Sequence, residues 1–235
     1  MKEMIRLVGI TKEFEDNLII PTLNLTIYDG EFVTLLGPSG CGKTTILRMI
    51  AGLETPTSGH IFLDDEEVTQ LDPYKRNVNM VFQHYALFPH MTVEDNIRFG
   101  LLMKKVPRQE QQKRIAEVLQ LTQLEELRYR KPQQMSGGQQ QRVLLSRALC
   151  ATQKMLLLDE PVSGLDPKVT AEMYALIQKL NYEDGITVVM ISHDLNAALQ
   201  YASHILHIGD TVFFGTKAAY LNEFPQAWQK GGEVK

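Results

Sequence analysis

The chain has 235 residues, 44% hydrophobic and 22% charged, with a formal net charge of −4. That composition suits a globular fold with a sizeable core, and it excludes intrinsic disorder and the basic excess of a general nucleic-acid binder. Cys41 and Cys150 are too few for a disulfide framework and fit a reducing compartment, and no apolar run approaches the ~18 residues that span a bilayer.

The first nine residues mix Lys2, Glu3 and Arg6 into a short apolar stretch, unlike a secretory signal. Nearly continuous apolar runs at 32–36, 80–82, 155–158 and 187–191 predict strands covered on both faces of a sheet. Helical patterns at 44–51, 110–121, 140–149 and 169–180 lie between them, an alternation that predicts a largely parallel α/β sheet. The stretch 92–130 is rich in Gln and charge and has no strand signal, so it reads as a helical insertion bracketed by the core. The tail 231–235 reads as frayed.

Gly37-Pro38-Ser39-Gly40-Cys41-Gly42-Lys43-Thr44 matches the G-x-x-x-x-G-K-[ST] phosphate-binding loop, between a predicted strand and a predicted helix. Its glycines turn backbone N–H groups toward phosphate, and the helix N-terminus adds its dipole. Lys43 reaches the β- and γ-phosphates, and the Thr44 hydroxyl suits Mg²⁺. A glycine-rich turn that happens to fit is the bland alternative, disfavoured by the strand–loop–helix setting. Cys41, inside the loop, is expected to be the more reactive cysteine, whereas Cys150 closes an amphipathic helix and is expected to be buried.

The run 155–158 ends in Asp159-Glu160, at the strand edge where ligands sit in an open α/β sheet. Asp159 is placed to support Mg²⁺ and Glu160 to act as general base toward water. Apolar residues followed by Asp-Glu are also a common strand exit, so the pair gains weight from the phosphate loop in the same chain. Met135-Ser136-Gly137-Gly138-Gln139 then reads two ways, as an ordinary Ser-capped helix start or as a second anion site at a helix N-terminus. Two phosphate sites for one nucleotide suggest a dimer in which each chain's second site caps the partner's nucleotide.

With these three elements the chain resembles the ATP-binding subunit of ABC transporters over nearly its full length. The resemblance implies an α/β P-loop NTPase core with a mostly parallel sheet, an N-terminal antiparallel β subdomain and an inserted helical subdomain. It implies one ATP-binding domain over 1–235, with a RecA-like core at about 1–84 and 146–235 and the helical subdomain at about 85–145. By the same resemblance Gln83 contacts Mg²⁺ and links core to helices, and Asp166, in Ser163-Gly164-Leu165-Asp166, runs along the dimer interface. His193 senses the γ-phosphate and orients Glu160, Phe14 stacks on adenine, and Thr45 joins Thr44 at the phosphates. Met135 stands where the family prefers Leu, a near-isosteric swap.

The expected cofactors are ATP and Mg²⁺. The expected partners are a second copy or a paralogous ATPase, integral membrane permease subunits docking near 85–89, and an extracytoplasmic solute-binding protein, with no nucleic acid. The place implied is the cytoplasmic face of the membrane, and the role is a motor subunit, of an importer by type. Residues 1–132 resemble polyamine-importer ATPases, whereas 148–169 and 193–221 look more like zinc- or manganese-type metal importers; a mosaic and ordinary divergence both fit. Polyamine-type relatives usually continue into a C-terminal regulatory β-domain, expected to be absent from a chain ending at Lys235. The rival class is a soluble ABC ATPase of DNA repair or translation, which carries a long coiled coil or a second ATPase unit. Five histidines, His60, His84, His90, His204 and His207, form no metal-ligand spacing.

Overall fold

The structure, a computed structural model, describes residues 2–15, 17–82, 87–152, 154–209 and 211–225. Gln83, Tyr85, Ala86 and the tail 231–235, all singled out above, lie outside the described residues.

The chain opens with a long hairpin, β1 (Glu3–Phe14) and β2 (Asn17–Tyr28), then enters β3 (Phe32–Leu36). Helix α1 (Lys43–Ala51) follows, with β4 (Ser58–Leu63), β5 (Glu66–Glu67) and β6 (Asn79–Val81) after it. Next come α2 (Val93–Met103), α3 (Arg108–Leu121), α4 (Gly137–Ala151), β7 (Met155–Asp159) and α5 (Pro167–Tyr182). The chain closes with β8 (Thr187–Ile191), α6 (Leu195–Tyr201), β9 (His204–Ile208), β10 (Val212–Thr216) and α7 (Lys217–Glu223). The strand expected at 80–82 therefore starts one residue earlier, and the helix expected at 140–149 starts at Gly137, because Ser136 caps it.

Two sheets carry the fold. One has the order β10-β9-β3-β8-β7-β6, parallel throughout except for β10 at its edge. The other is antiparallel, in the order β2-β1-β4-β5. Strands β3, β7 and β8 are buried at every position, as central strands covered on both faces must be. Successive residues of β7 point to opposite layers. Met155 and Leu157 join a core with α1 and the antiparallel sheet, through Ile46, Ile50, Ile5 and Ile61. Leu156 and Leu158 join the other layer, with Leu145 and Leu149 of α4 and Tyr174 and Ile177 of α5.

The described residues between β6 and β7 hold helices α2, α3 and α4 and no strand, in keeping with the helical insertion expected at 92–130, and they have a core of their own. Val93, Ile97 and Leu101 of α2 meet Ile115 and Leu119 of α3 and Val143 and Cys150 of α4. Helix α4 thus serves both cores, with Leu144 and Leu145 turned to the sheet and Val143 to the other helices. At its far end Lys104 Nζ donates to the carbonyl of Ala151 at 2.7 Å, satisfying a last-turn acceptor with a cation.

Candidate active site

Between β3 and α1 the chain makes the predicted turn, and backbone conformation explains two of its glycines. Gly37 has φ 146°, and a Cβ there would sit 2.1 Å from the Ile208 carbonyl oxygen of β9. Gly42 has φ 95°, and a Cβ there would sit 2.2 Å from Ile20 Cδ1 of β2. Any side chain at either position would push the loop away from the strands that shape it. Gly42 is also the N-cap of α1, so the helix presents its free N–H groups at the loop without a capping side chain.

Lys43 is 5% exposed and folds back over this loop. Its Nζ donates to the carbonyls of Gly37 at 2.8 Å and Pro38 at 2.7 Å and approaches Cys41 Sγ at 3.6 Å. At the other end of α1, buried Arg76 donates to the carbonyls of Met49 at 2.7 Å and Ile50 at 3.0 Å. A cation there complements the helix dipole and fixes the helix whose opposite end forms the cradle.

A cavity of about 210 Å³ opens over the cradle, lined by Ile19, Ser39, Gly40, Gly42, Lys43, Thr44, Thr45, Glu160 and His193. Five residues of the predicted loop and both predicted catalytic residues thus share one space with Thr45. The strand ends bring in the acids, since β7 runs parallel to β8 with Asp159 opposite Ile191. The Thr44 hydroxyl donates to Asp159 Oδ1 at 3.2 Å. Asp159 is 5% exposed, and burial raises its carboxyl above the usual range against the opposing pull of the Thr44 hydrogen bond. A hydroxyl and a carboxylate side by side form an oxygen-only donor set, the kind that hard divalent cations such as Mg²⁺ prefer.

Glu160 has φ 50°, a left-handed conformation rare for a side chain of its size, which turns it off the strand line and into the cavity. Its Oε1 lies 2.6 Å from His193 Nε2, in the turn just before α6. The histidine side chain is 49% exposed and the glutamate's 16%, so the carboxylate sits deeper and the ring covers it.

The other predicted residues sit elsewhere. The Ser136 hydroxyl accepts from the Gln139 N–H at 3.3 Å, and Gln139 Oε1 accepts from the Ser136 N–H at 3.0 Å, a reciprocal capping box that opens α4 with Gly137 and Gly138. Asp166 caps α5 by accepting from the N–H groups of Lys168 and Val169, each at 3.1 Å. Phe14 ends β1 at 43% exposure, with the Lys12 ammonium 4.5 Å from its ring centroid. None of these lines the cavity. Gln83 falls outside the described residues, between β6 and Leu87. Ile19 and Ile20, which wall the cradle, are apolar strand residues with no motif to single them out.

A strand–cradle–helix with paired acids at the end of β7, on the far side of β8 from the cradle strand, defines a P-loop nucleotide cassette. A family model described as ABC transporter matches residues 20–163, and the chain belongs to that family as an ATP-binding domain. The Spermidine/putrescine import ATP-binding protein PotA of Bacillus thuringiensis (strain Al Hakam) is 52% identical over 206 residues, 88% of this chain and 63% of the relative. PotA of Vibrio cholerae serotype O1 (strain ATCC 39315 / El Tor Inaba N16961) is 51% identical over 205 residues, 87% of this chain and 54% of the relative. The chain therefore spans less than two thirds of the length of these curated relatives. Among solved structures, a dimeric post-hydrolysis state of an ATP-binding cassette bound to ADP and Pi matches with a TM-score of 0.80 at 34% identity, over 91% of this chain and 99% of that one. A nucleotide-free cassette from an ABC transporter matches in fold with a TM-score of 0.83 at 23% identity, over 97% of this chain and 98% of that one.

Proposed function

We propose that this chain is the ATP-hydrolysing motor subunit of an ABC importer, working as a dimer that closes over two ATP molecules. The observation that carries the reading is the Glu160–His193 hydrogen bond at the mouth of the phosphate cradle. Lys43 exchanges its loop carbonyls for the β- and γ-phosphates, and the free N–H groups of α1 hold the remaining oxygens. Thr44 and Asp159, with Gln83, hold Mg²⁺, which supplies charge neutralisation at the β- and γ-phosphates when bound. Glu160 takes a proton from the attacking water, and His193 keeps the carboxylate aimed. Phe14 stacks on the adenine, and Ser136, Gly137, Gly138, Gln139 and Asp166 complete the site on the partner copy.

The core over about 1–84 and 146–235 binds and hydrolyses ATP, and the helical subdomain at about 85–145 passes the closure to membrane permease subunits at the cytoplasmic face. A groove of about 410 Å³ beside Phe88, lined also by Met80, Phe99, Met103 and Arg147, is the docking surface for them. Among the described residues no helix is long and apolar enough to cross a membrane. An extracytoplasmic solute-binding protein delivers the solute. The named substrates of the relatives make a polyamine the proposed cargo, and the resemblance read from the sequence at 148–169 and 193–221 leaves a divalent metal as the second reading.

Glu160→Gln tests the motor role. The variant should bind ATP like the parent, lose turnover and accumulate as an ATP-dependent dimer on size-exclusion chromatography. Hydrolysis at the parent rate, or no dimer, removes Glu160 from the role given to it.

A further inference from the structure

Two contacts join the start of α4 to the start of α5. Gly138 lies so near α5 that an added Cβ would stand 2.4 Å from Val169 Cγ1. One turn further along both helices, Arg142 Nη2 pairs with Glu172 Oε2, while Arg142 Nη1 reaches Gln123 Oε1 at 3.4 Å. Positions 138 and 142 share one face of α4, and 169 and 172 share one face of α5. The two contacts are successive rungs of a ladder. Its upper ends are Ser136, the cap of α4, and Asp166, the cap of α5.

The chemistry of the lower rung favours orientation over stability. The Glu172 side chain is 43% exposed, and an ion pair that open to water adds little folding energy. A guanidinium–carboxylate pair is nonetheless directional, and Arg142, 19% exposed, is held from two sides. Without the rung, the Gly138–Val169 contact alone sets the spacing of the two helix starts, and with it the relative position of the caps Ser136 and Asp166.

We propose that Glu172 is a positioning residue, which through Arg142 locks Ser136 and Asp166 of one chain into a single rigid face for the partner's nucleotide. This rests on the dimeric reading above. Each chain then engages the partner's nucleotide with both elements at once, and loosening the ladder reduces turnover while leaving the chain's own phosphate cradle untouched.

The test uses the full chain with Glu172→Gln, measuring ATP affinity, steady-state turnover and ATP-driven dimerisation in a Glu160→Gln background. ATP affinity should stay within about twofold and the thermal midpoint should hardly move, while turnover falls about tenfold and dimerisation needs more ATP. The double reversal Arg142→Glu/Glu172→Arg should regain most of the turnover that either single reversal loses. Glu172→Gln turnover within about twofold of the parent, or a double reversal no better than the singles, overturns the proposal. A parent protein that does not hydrolyse ATP at all overturns the motor reading, and the role of Glu172 with it.

Discussion

His193 Nε2 lies 2.6 Å from Glu160 Oε1, so residues following two adjacent parallel strands, β8 and β7, meet in one hydrogen bond over the phosphate cradle. The bond crosses 33 positions of sequence and depends on the left-handed turn at Glu160, which swings the carboxylate out of the strand. Neither residue makes this site alone.

The cradle's cation is the first point of test. Lys43 is the buried ammonium on the loop, held on two carbonyl oxygens that give it no counter-charge. Replacing it with alanine removes the charge-assisted hydrogen bonds to phosphate, so ATP affinity should fall by about a hundredfold or more. Titration of a fluorescent ATP analogue reads this directly. Affinity within a few-fold of the parent would remove Lys43 from the phosphate site.

The two cysteines should separate cleanly under limited maleimide treatment. Cys150 is 2% exposed, and burial pushes its thiol up to about 12. Cys41 is partly exposed, with the Lys43 ammonium 3.6 Å from its sulfur. Mass spectrometry should find Cys41 modified first, with bound ATP slowing that modification and the modification blocking ATP. Preferential labelling of Cys150, or Cys41 labelling that ATP leaves unchanged, contradicts the placing of Cys41 beside the phosphates.

The elements that hold this site were readable to very different degrees. The loop 37–44 and the run 155–160 stood out because their chemistry needs particular residue types in unbroken order, so pattern and function coincide. Strands β3, β7 and β8 were equally plain, since burial on both faces leaves no polar alternation. Ile19 and Ile20 gave no signal, because a hydrophobic residue that walls a cradle looks like any other strand residue. Helix α4 starts three residues before the helical pattern at 140–149, since Gly137 and Gly138 are poor helix formers and only the Ser136–Gln139 capping box makes them its first turn. The Arg142–Glu172 pair spans 30 positions, a distance no local pattern reports.

Acid should weaken the helical insertion through Glu94, which is 7% exposed and accepts hydrogen bonds from both Arg128 and Arg98. The Arg128 hydrogen bond, ahead of burial that opposes it, holds this carboxyl below its ordinary value of 4.5. A folded value below the unfolded one means the stabilisation is complete above about pH 4.5 and is lost as pH falls through the folded value. Glu94→Gln should therefore cost about 1–3 kcal/mol at pH 7, with the gap to the parent narrowing at acid pH. Denaturant melts at several pH values measure it. A gap that stays constant from pH 7 to below pH 4 contradicts the ionic role.

The account stands most directly on whether two chains complete each other's sites, and a mixing experiment measures that. Ser136→Arg keeps its own cradle and should bind ATP, yet its bulk intrudes where the partner's γ-phosphate must sit. Lys43→Ala has the opposite defect, a damaged cradle with an intact Ser136. Each variant alone should hydrolyse almost nothing. A mixed dimer combines both defects in one site and leaves the other site with an intact cradle from the first chain and an intact Ser136 from the second. Mixing should thus restore measurable ATP hydrolysis, rising with the fraction of mixed dimers. No recovery in samples where mixed dimers are shown to form would contradict the account, in which one intact composite site turns over on its own.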